Sequence, residues 1–159
     1  MTRGHRMLRT AQGGMTLLEL IIATSILLIL ASAALPITRM AIKRQKEFEL
    51  REALRDMRSA IDRYKDAADK NLIQVELGTE GYPKTLDVLV VGVELVTAKE
   101  RHVRFLRRIP VDPMTGRPDW GMRSVQDDPN SGSWGGQNVF DVFSRSSGIA
   151  LDGSRYSDW

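Results

Sequence analysis

The order of apolar and polar positions divides the chain into stretches of different character. The stretch GGMTLLELIIATSILLILASAALP, from Gly13 to Pro36, is apolar almost throughout. Between Met15 and Leu35 the only charged residue is Glu19, and the only other polar residues are Thr16, Thr24, Ser25 and Ser32. A helix that covers a soluble core carries a polar stripe, and this stretch has none. Its roughly 21 residues are enough to cross a hydrocarbon layer about 30 Å thick. Pro36 lacks a backbone donor and crowds the preceding turn, which predicts a kink. A full stop is not expected, because helical spacing resumes directly. Leu50, Leu54, Met57, Ile61, Tyr64 and Ala68 recur every three or four residues, on one stripe. Charges fill the other faces. Glu47 with Arg51, Glu52 with Arg55 and Asp66 with Lys70 have helix-neighbour spacing, each worth about 0.2–0.5 kcal/mol. The pattern predicts one helix from Met15 to about Ala68, greasy at first and amphipathic later.

Beyond Lys70 the periodicity breaks. Gly78, Gly81 and Pro83 punctuate a loop. The Val-rich stretch Leu86–Leu95, interrupted by Gly92, is ambiguous, and a short helix over Thr85–Val91 is the expectation. Pro110, Pro113, Gly116, Pro118 and Gly121 make a turn-rich passage. Asp127–Gly136 reads as a polar loop. Val139, Phe140, Val142 and Phe143 surround Asp141, which makes Asn138–Ser144 the best strand candidate. The fold class that follows is α+β: a long N-terminal helix whose second half packs on a small antiparallel sheet.

Charge refines this picture at one end. The chain has 159 residues and a formal net charge of +3. The first fourteen residues hold Arg3, Arg6 and Arg9 and no acid; in the remainder the 20 acidic residues are balanced by as many basic ones. The basic pI therefore comes from the leader and gives little reason to expect a nucleic-acid partner. There is no cysteine, which removes disulfides, thiolate catalysis and cysteine–zinc sites from consideration. His102 is the only histidine after the leader, so no histidine metal cluster can form, and no phosphate-binding glycine loop or nucleophile elbow is present. Nothing in the sequence points to an enzyme. Trp120, Trp134 and Trp159 are read as caps on a small core.

The leader has an unusual order. A secretory signal places its apolar region before the small residues of the cleavage site. Here Gly13-Gly14 come first and the apolar run follows. Cleavage after Gly14 would leave the run on the mature chain and create an α-amino group on Met15. Glu19 lies one turn further on. A carboxylate in lipid costs roughly 2.5–3.5 kcal/mol on insertion scales, so it calls for a partner, in its own chain or a neighbouring one. The spacing also allows the plainer reading of a signal-anchor with an incidental carboxylate near the interface.

Gly14 followed by MTLLELIIA resembles the processing motif of type IV pilins and type II secretion pseudopilins: a basic leader, a glycine, a hydrophobic residue, Thr-Leu, and Glu at the fifth mature position. Met15 stands where the family usually has Phe. Pro36 matches a family proline. YPKTLDVL (Tyr82–Leu89), RRIPVDPMTGRPDWG (Arg107–Gly121), NVFDVFS (Asn138–Ser144) and the terminal Asp158-Trp159 look like the G-type, major pseudopilin. The resemblance is weak over Val75–Gly81, Val91–His102 and Met122–Trp134.

The resemblance implies a prepilin peptidase that cuts between Gly14 and Met15 and methylates Met15. It implies an inner-membrane protein with its C-terminal region in the periplasm. Copies would leave the membrane through an assembly platform and stack with other pseudopilins into a helical homopolymer that drives export of folded proteins. Glu19 and Pro36 would serve assembly. The implied segments are a leader (1–14), a transmembrane or filament-core helix (15–35), its amphipathic continuation (36–70) and a β-rich periplasmic region (71–159). Positive-inside counting disagrees, since Arg39, Lys43, Arg44, Lys46 and Arg51 follow the apolar run. The family's major subunit binds calcium in its C-terminal loop. Here Gly148–Trp159 offers only Asp152 and Asp158 as carboxylates, against the six to eight or so oxygens that calcium needs. A metal-free turn is therefore the expectation, with no cofactor. Two other readings stay open: a type IV or competence pilin for adhesion, motility or DNA uptake, and a monomeric signal-anchored periplasmic binding domain. Adhesive pilins commonly close their C-terminal region with a disulfide, which the absence of cysteine argues against here.

Overall fold

The structure, a computed structural model, describes residues 16–159, and the side chains of all these except 33–37 and 99–100. The leader, and with it the Gly14–Met15 bond, lies outside the described residues. One long helix, α1 (Leu17–Asp69), opens the chain. The backbone stays helical through Pro36. The residues up to Ala41 form one unit, and Ile42–Trp159 form a second, compact one.

Within the second unit, the stripe expected from spacing is the core. Leu50, Leu54, Met57, Ile61, Tyr64 and Ala68 are all buried, joined by Ala53 and Ala60. They pack with Leu86, Leu89, Trp120, Val139, Val142 and Tyr156 from the rest of the unit. The helix ends at Asp69, where Asn71 takes a positive φ of 52° and the Leu72 amide bonds back to the Ala67 carbonyl at 2.9 Å.

Among the described residues, two two-stranded antiparallel sheets stand where one small sheet was expected. Helix α2 (Leu86–Val91) is followed by β1 (Val93–Leu95), which pairs with β2 (Ala98–Val103). The ambiguous Val-rich stretch is thus part helix and part strand. Gly92 separates the two at φ 91°, and a Cβ on it would lie 2.8 Å from the Val103 carbonyl oxygen. The second sheet pairs β3 (Trp120–Arg123) with β4 (Asp141–Ser144), in the register Trp120 to Ser144 and Gly121 to Phe143.

The strand expected over Asn138–Ser144 begins only at Asp141: Asn138 and Val139 bond outside β3, and Phe140 bonds the last residue of β3. The Asn138 carbonyl accepts from Ser124 Oγ and Trp134 Nε1, the Val139 amide donates to Pro83, and the Phe140 amide donates to Arg123. The proline-rich passage is held by fully buried Asp112. Its carboxylate accepts from the Met114 amide at 2.7 Å and from Ser144 Oγ at 2.6 Å. Trp120 Nε1 donates to the Pro110 carbonyl at 2.9 Å, which ties the passage to β3. Trp120 is buried, whereas Trp134 and Trp159 are partly buried against the core, so all three cap it as the sequence reading expected.

Candidate functional site

Among the described residues, nothing covers the apolar start of α1. Leu17, Leu18, Leu20, Ile21, Ile22, Ile26, and Leu27 through Leu30 are exposed. Each such side chain gains roughly 1.5–3 kcal/mol on full burial, so together they carry a large drive to be covered.

The polar side chains of this stretch are nearly all satisfied within the helix. Thr24 Oγ1 donates to the Leu20 carbonyl at 2.8 Å, Ser25 Oγ to Ile21 at 2.7 Å and Ser32 Oγ to Ile29 at 2.7 Å. Folding a hydroxyl back on a helix carbonyl hides it from an apolar surrounding. Thr16 caps the helix start: its Oγ1 accepts the Glu19 amide at 3.2 Å. The T-x-x-E spacing of a capping box was present in the sequence and went unread. A carboxylate in the first turn also faces the positive end of the helix dipole. The Glu19 carboxylate itself makes no ion pair among the described residues.

Among the described residues, no helix is long and apolar enough to cross a membrane. The stretch with described side chains, Leu17–Ser32, is about 24 Å long at the α-helical rise. Residues 33–37 complete the apolar run in sequence, but their side chains are not described, Pro36 included.

Residues 9–35 match the prokaryotic N-terminal methylation motif. The chain carries a type IV pilin-like signal. This match spans the basic end of the leader, the Gly14–Met15 bond, Glu19 and the apolar run. Such a signal marks membrane-anchored, periplasm-exposed proteins that are processed by a prepilin peptidase and built into pilus-like fibres; the proteins that carry it are structural. No curated protein and no solved structure matches the chain.

The C-terminal loop, the second candidate, is docked on α1 by side chains. Glu47, only 7% exposed, accepts from the Leu151 amide at 2.8 Å and from the Tyr156 hydroxyl at 2.9 Å. Lys43 Nζ donates to the Ile149 carbonyl at 2.7 Å. Arg58 donates to Asp141, to the Val142 carbonyl at 3.1 Å and to the Trp159 main-chain oxygen at 2.8 Å. Arg123 shares Asp141 and reaches the Ser157 carbonyl at 3.3 Å. The Arg51 guanidinium lies 4.2 Å over the Trp159 ring.

Two surface pairs expected from spacing are therefore absent. Glu47 turns inward instead of pairing with Arg51, and Arg51 turns to Asp152 and Trp159. Glu52 and Arg55 form no ion pair, while Asp66 and Lys70 do, at 2.7 Å. The signal for Glu47 was legible: it stands three residues before Leu50, in line with the buried stripe.

The two weak calcium candidates are engaged by their own loop. Asp152 Oδ1 accepts from the Ser154 hydroxyl at 2.6 Å and amide at 2.9 Å, which hold its carboxyl below the usual range, with Arg51 adding to the effect. Asp158 accepts from Ser157 Oγ at 3.1 Å. Among the described residues, no three histidines or carboxylates gather as a metal-binding set. Main-chain oxygens that a cation would seek here receive arginine donors. The residues present fit an arginine-closed loop better than a calcium cage.

Proposed function

We propose that this chain is a subunit of a type II secretion pseudopilus, and that it is the major one. A prepilin peptidase cuts after Gly14 and methylates Met15. The mature helix anchors the subunit in the inner membrane until an assembly platform transfers it to the filament. There the apolar helices of neighbouring copies cover one another, and Glu19 pairs with the amino end of a neighbour. Pro36 marks the passage from the apolar to the amphipathic part of the helix. The growing fibre pushes folded proteins outward, and the role is structural rather than enzymatic. The C-terminal loop closes without calcium.

The observation that carries this reading is the Glu19 carboxylate. Among the described residues it has no ion pair, and it stands in an apolar helix segment whose hydroxyls are internally bonded, directly after a processing motif. A charge in that setting is stabilised by an opposite charge brought to it where water is excluded. The pseudopilin assignment within the wider pilin-like class is supported by the YP, DPMTGRPDWG and DVFS sequences, and by the absence of cysteine. The rival reading, a type IV or competence pilin, shares the processing and assembly chemistry and differs in the machinery encoded beside it. Intact-mass measurement of the membrane-extracted protein tests the processing step. Loss of Met1–Gly14 with gain of one methyl group is expected; a full-length mass overturns it.

A further inference from the structure

Near the C-terminal end of α1 the folded unit holds a cavity of about 300 Å³, at the lower end of the roughly 300–1,000 Å³ of ligand pockets. Its walls are largely apolar: Val88 and Val91 of α2, Val93 of β1, and the rings of Tyr64 and Tyr82. Both rings are set edge-on to a second aromatic, Tyr64 to Phe105 at 5.4 Å and Tyr82 to Phe140 at 5.3 Å, which fixes their place. The turn that lines the cavity is held by its own bonds. Thr79 Oγ1 donates to the Glu76 carbonyl at 2.9 Å, and the Tyr82 amide donates to the Thr79 carbonyl at 3.0 Å. The cavity is thus formed before anything enters it.

Three polar side chains of this cavity have no hydrogen-bond partner among the described residues. Tyr64 is only 4% exposed, yet its hydroxyl makes no hydrogen bond there. No side-chain polar atom sealed from solvent lacks a partner among those residues, so this hydroxyl opens into the cavity. Burial, then the charge of Glu76, push its pKa up, which keeps it protonated. Gln74 and Asp87, at the mouth, are likewise unbonded, and Asp87 has no ion pair. The other charges are matched. Glu76 accepts from Lys84 Nζ at 2.8 Å. Lys65, whose ammonium stands 5.4 Å over the Tyr82 ring, is bonded to Asp69. The lining residues therefore carry two carboxylates, Glu76 and Asp87, against one ammonium, Lys84, and Asp87 is the excess.

We propose that this cavity binds a small organic cation, a primary ammonium on a short apolar body. The ammonium donates to the Asp87 carboxylate, the side-chain oxygen of Gln74 and the Tyr64 oxygen, three acceptors for its three hydrogens. The apolar body lies along the valines and the tyrosine rings. A neutral body of the same shape leaves Asp87 without its counter-charge, and an anion is repelled by it. A free amine and a lysine side chain of another protein share this chemistry. The site uses no residue of the processing motif, the apolar run or the C-terminal loop, so it goes beyond the self-assembly reading and does not depend on it.

The experiment is isothermal titration of the full chain in detergent with phenethylammonium, read against a detergent blank. Saturable binding is expected, with a Kd of about 1 mM or tighter. Phenethyl alcohol and hydrocinnamate, the neutral and anionic counterparts, are expected to bind about tenfold more weakly or not at all. Asp87→Asn changes an exposed side chain and is expected to weaken the ammonium about five- to tenfold. Tyr64→Phe removes a hydroxyl that has no bond; it is expected to weaken binding about two- to tenfold while leaving the urea midpoint at or above the parent's. A lysine peptide with blocked ends separates the two sources. Binding at least as tight as that of the free amine assigns the site to a protein side chain, and weaker binding assigns it to a free amine. No saturable binding of either amine or peptide, equal binding of the three small probes, or binding untouched by both substitutions overturns the site and leaves self-assembly standing.

Discussion

Replacing Glu47 with alanine is expected to destabilise the folded unit by about 3 kcal/mol. The carboxylate is buried, and its Oε1 accepts both the Leu151 amide and the Tyr156 hydroxyl. Hydrogen bonds to a charged group contribute roughly 1.5–3 kcal/mol each, and truncation strands the buried Tyr156 hydroxyl at a further cost of about 1–3 kcal/mol. Against this, the variant no longer buries a charge, which returns several kcal/mol. The balance is a loss near 3 kcal/mol, a large share of a typical stability of about 5–15 kcal/mol. Glu47→Gln keeps an oxygen acceptor and is expected to cost about half as much. The assay is urea unfolding of the full chain in detergent, followed by tryptophan fluorescence. Trp159 packs edge-on to Tyr156 at 5.2 Å and reports the loop directly. With an m-value of about 1–3 kcal/mol/M, the midpoint should fall by roughly 1–3 M. A double-mutant cycle with Tyr156→Phe should return a coupling of about 1–2 kcal/mol. A midpoint unchanged in Glu47→Ala, or a coupling near zero, refutes the clamp.

The same contact predicts an alkaline limit. Burial, then the hydrogen bond and charge of Glu47, push the Tyr156 hydroxyl up to about 12. The folded state therefore holds the proton that the unfolded chain releases near pH 10. This stabilisation is full below pH 10 and is lost as pH rises from about 10 to 12; Tyr156→Phe should flatten that part of the stability profile, and an unchanged profile counts against the contact. Gly121→Ala would put a Cβ 2.3 Å from ring carbons of Phe143, its partner across β3 and β4, and should cost about 2–3 kcal/mol in the same urea assay; a neutral effect would mean that the register there is wrong. Calcium or a chelator should leave the thermal midpoint of the full chain unchanged, because arginines and Ser154 already serve the oxygens of the C-terminal loop; a rise of several degrees with calcium contradicts the arginine-closed loop.

Much of this was legible in local spacing, and the rest was not for a physical reason. The Leu50–Ala68 stripe follows from helix periodicity alone, and every member is buried. Glu47 lay in line with that stripe, yet its spacing to Arg51 suggested a surface pair; its true partners, Leu151 and Tyr156, are about a hundred residues away in sequence. Arg58 was equally silent, since its acceptors come from β4 and the last residue. The start of β4 was misplaced because Val139 and Phe140 have strand-like composition, whereas Asn138 bonds Ser124 and Trp134 and Val139 bonds Pro83, all outside β3. Glu19 stood out because one charge in an apolar run is anomalous without any fold. The cluster of Arg63, Arg104, Arg107 and Arg108 went unnoticed because a balanced total charge conceals a local grouping that only folding brings together.

The central claim is that Glu19 finds its partner only when copies assemble. The direct measurement is electron microscopy of fibres from cells that express the assembly machinery with either the parent chain or Glu19→Ala. The parent should give fibres. Glu19→Ala should give none, while its extracted protein still unfolds at the parent's urea midpoint. Fibres of normal yield and diameter from Glu19→Ala would contradict the account.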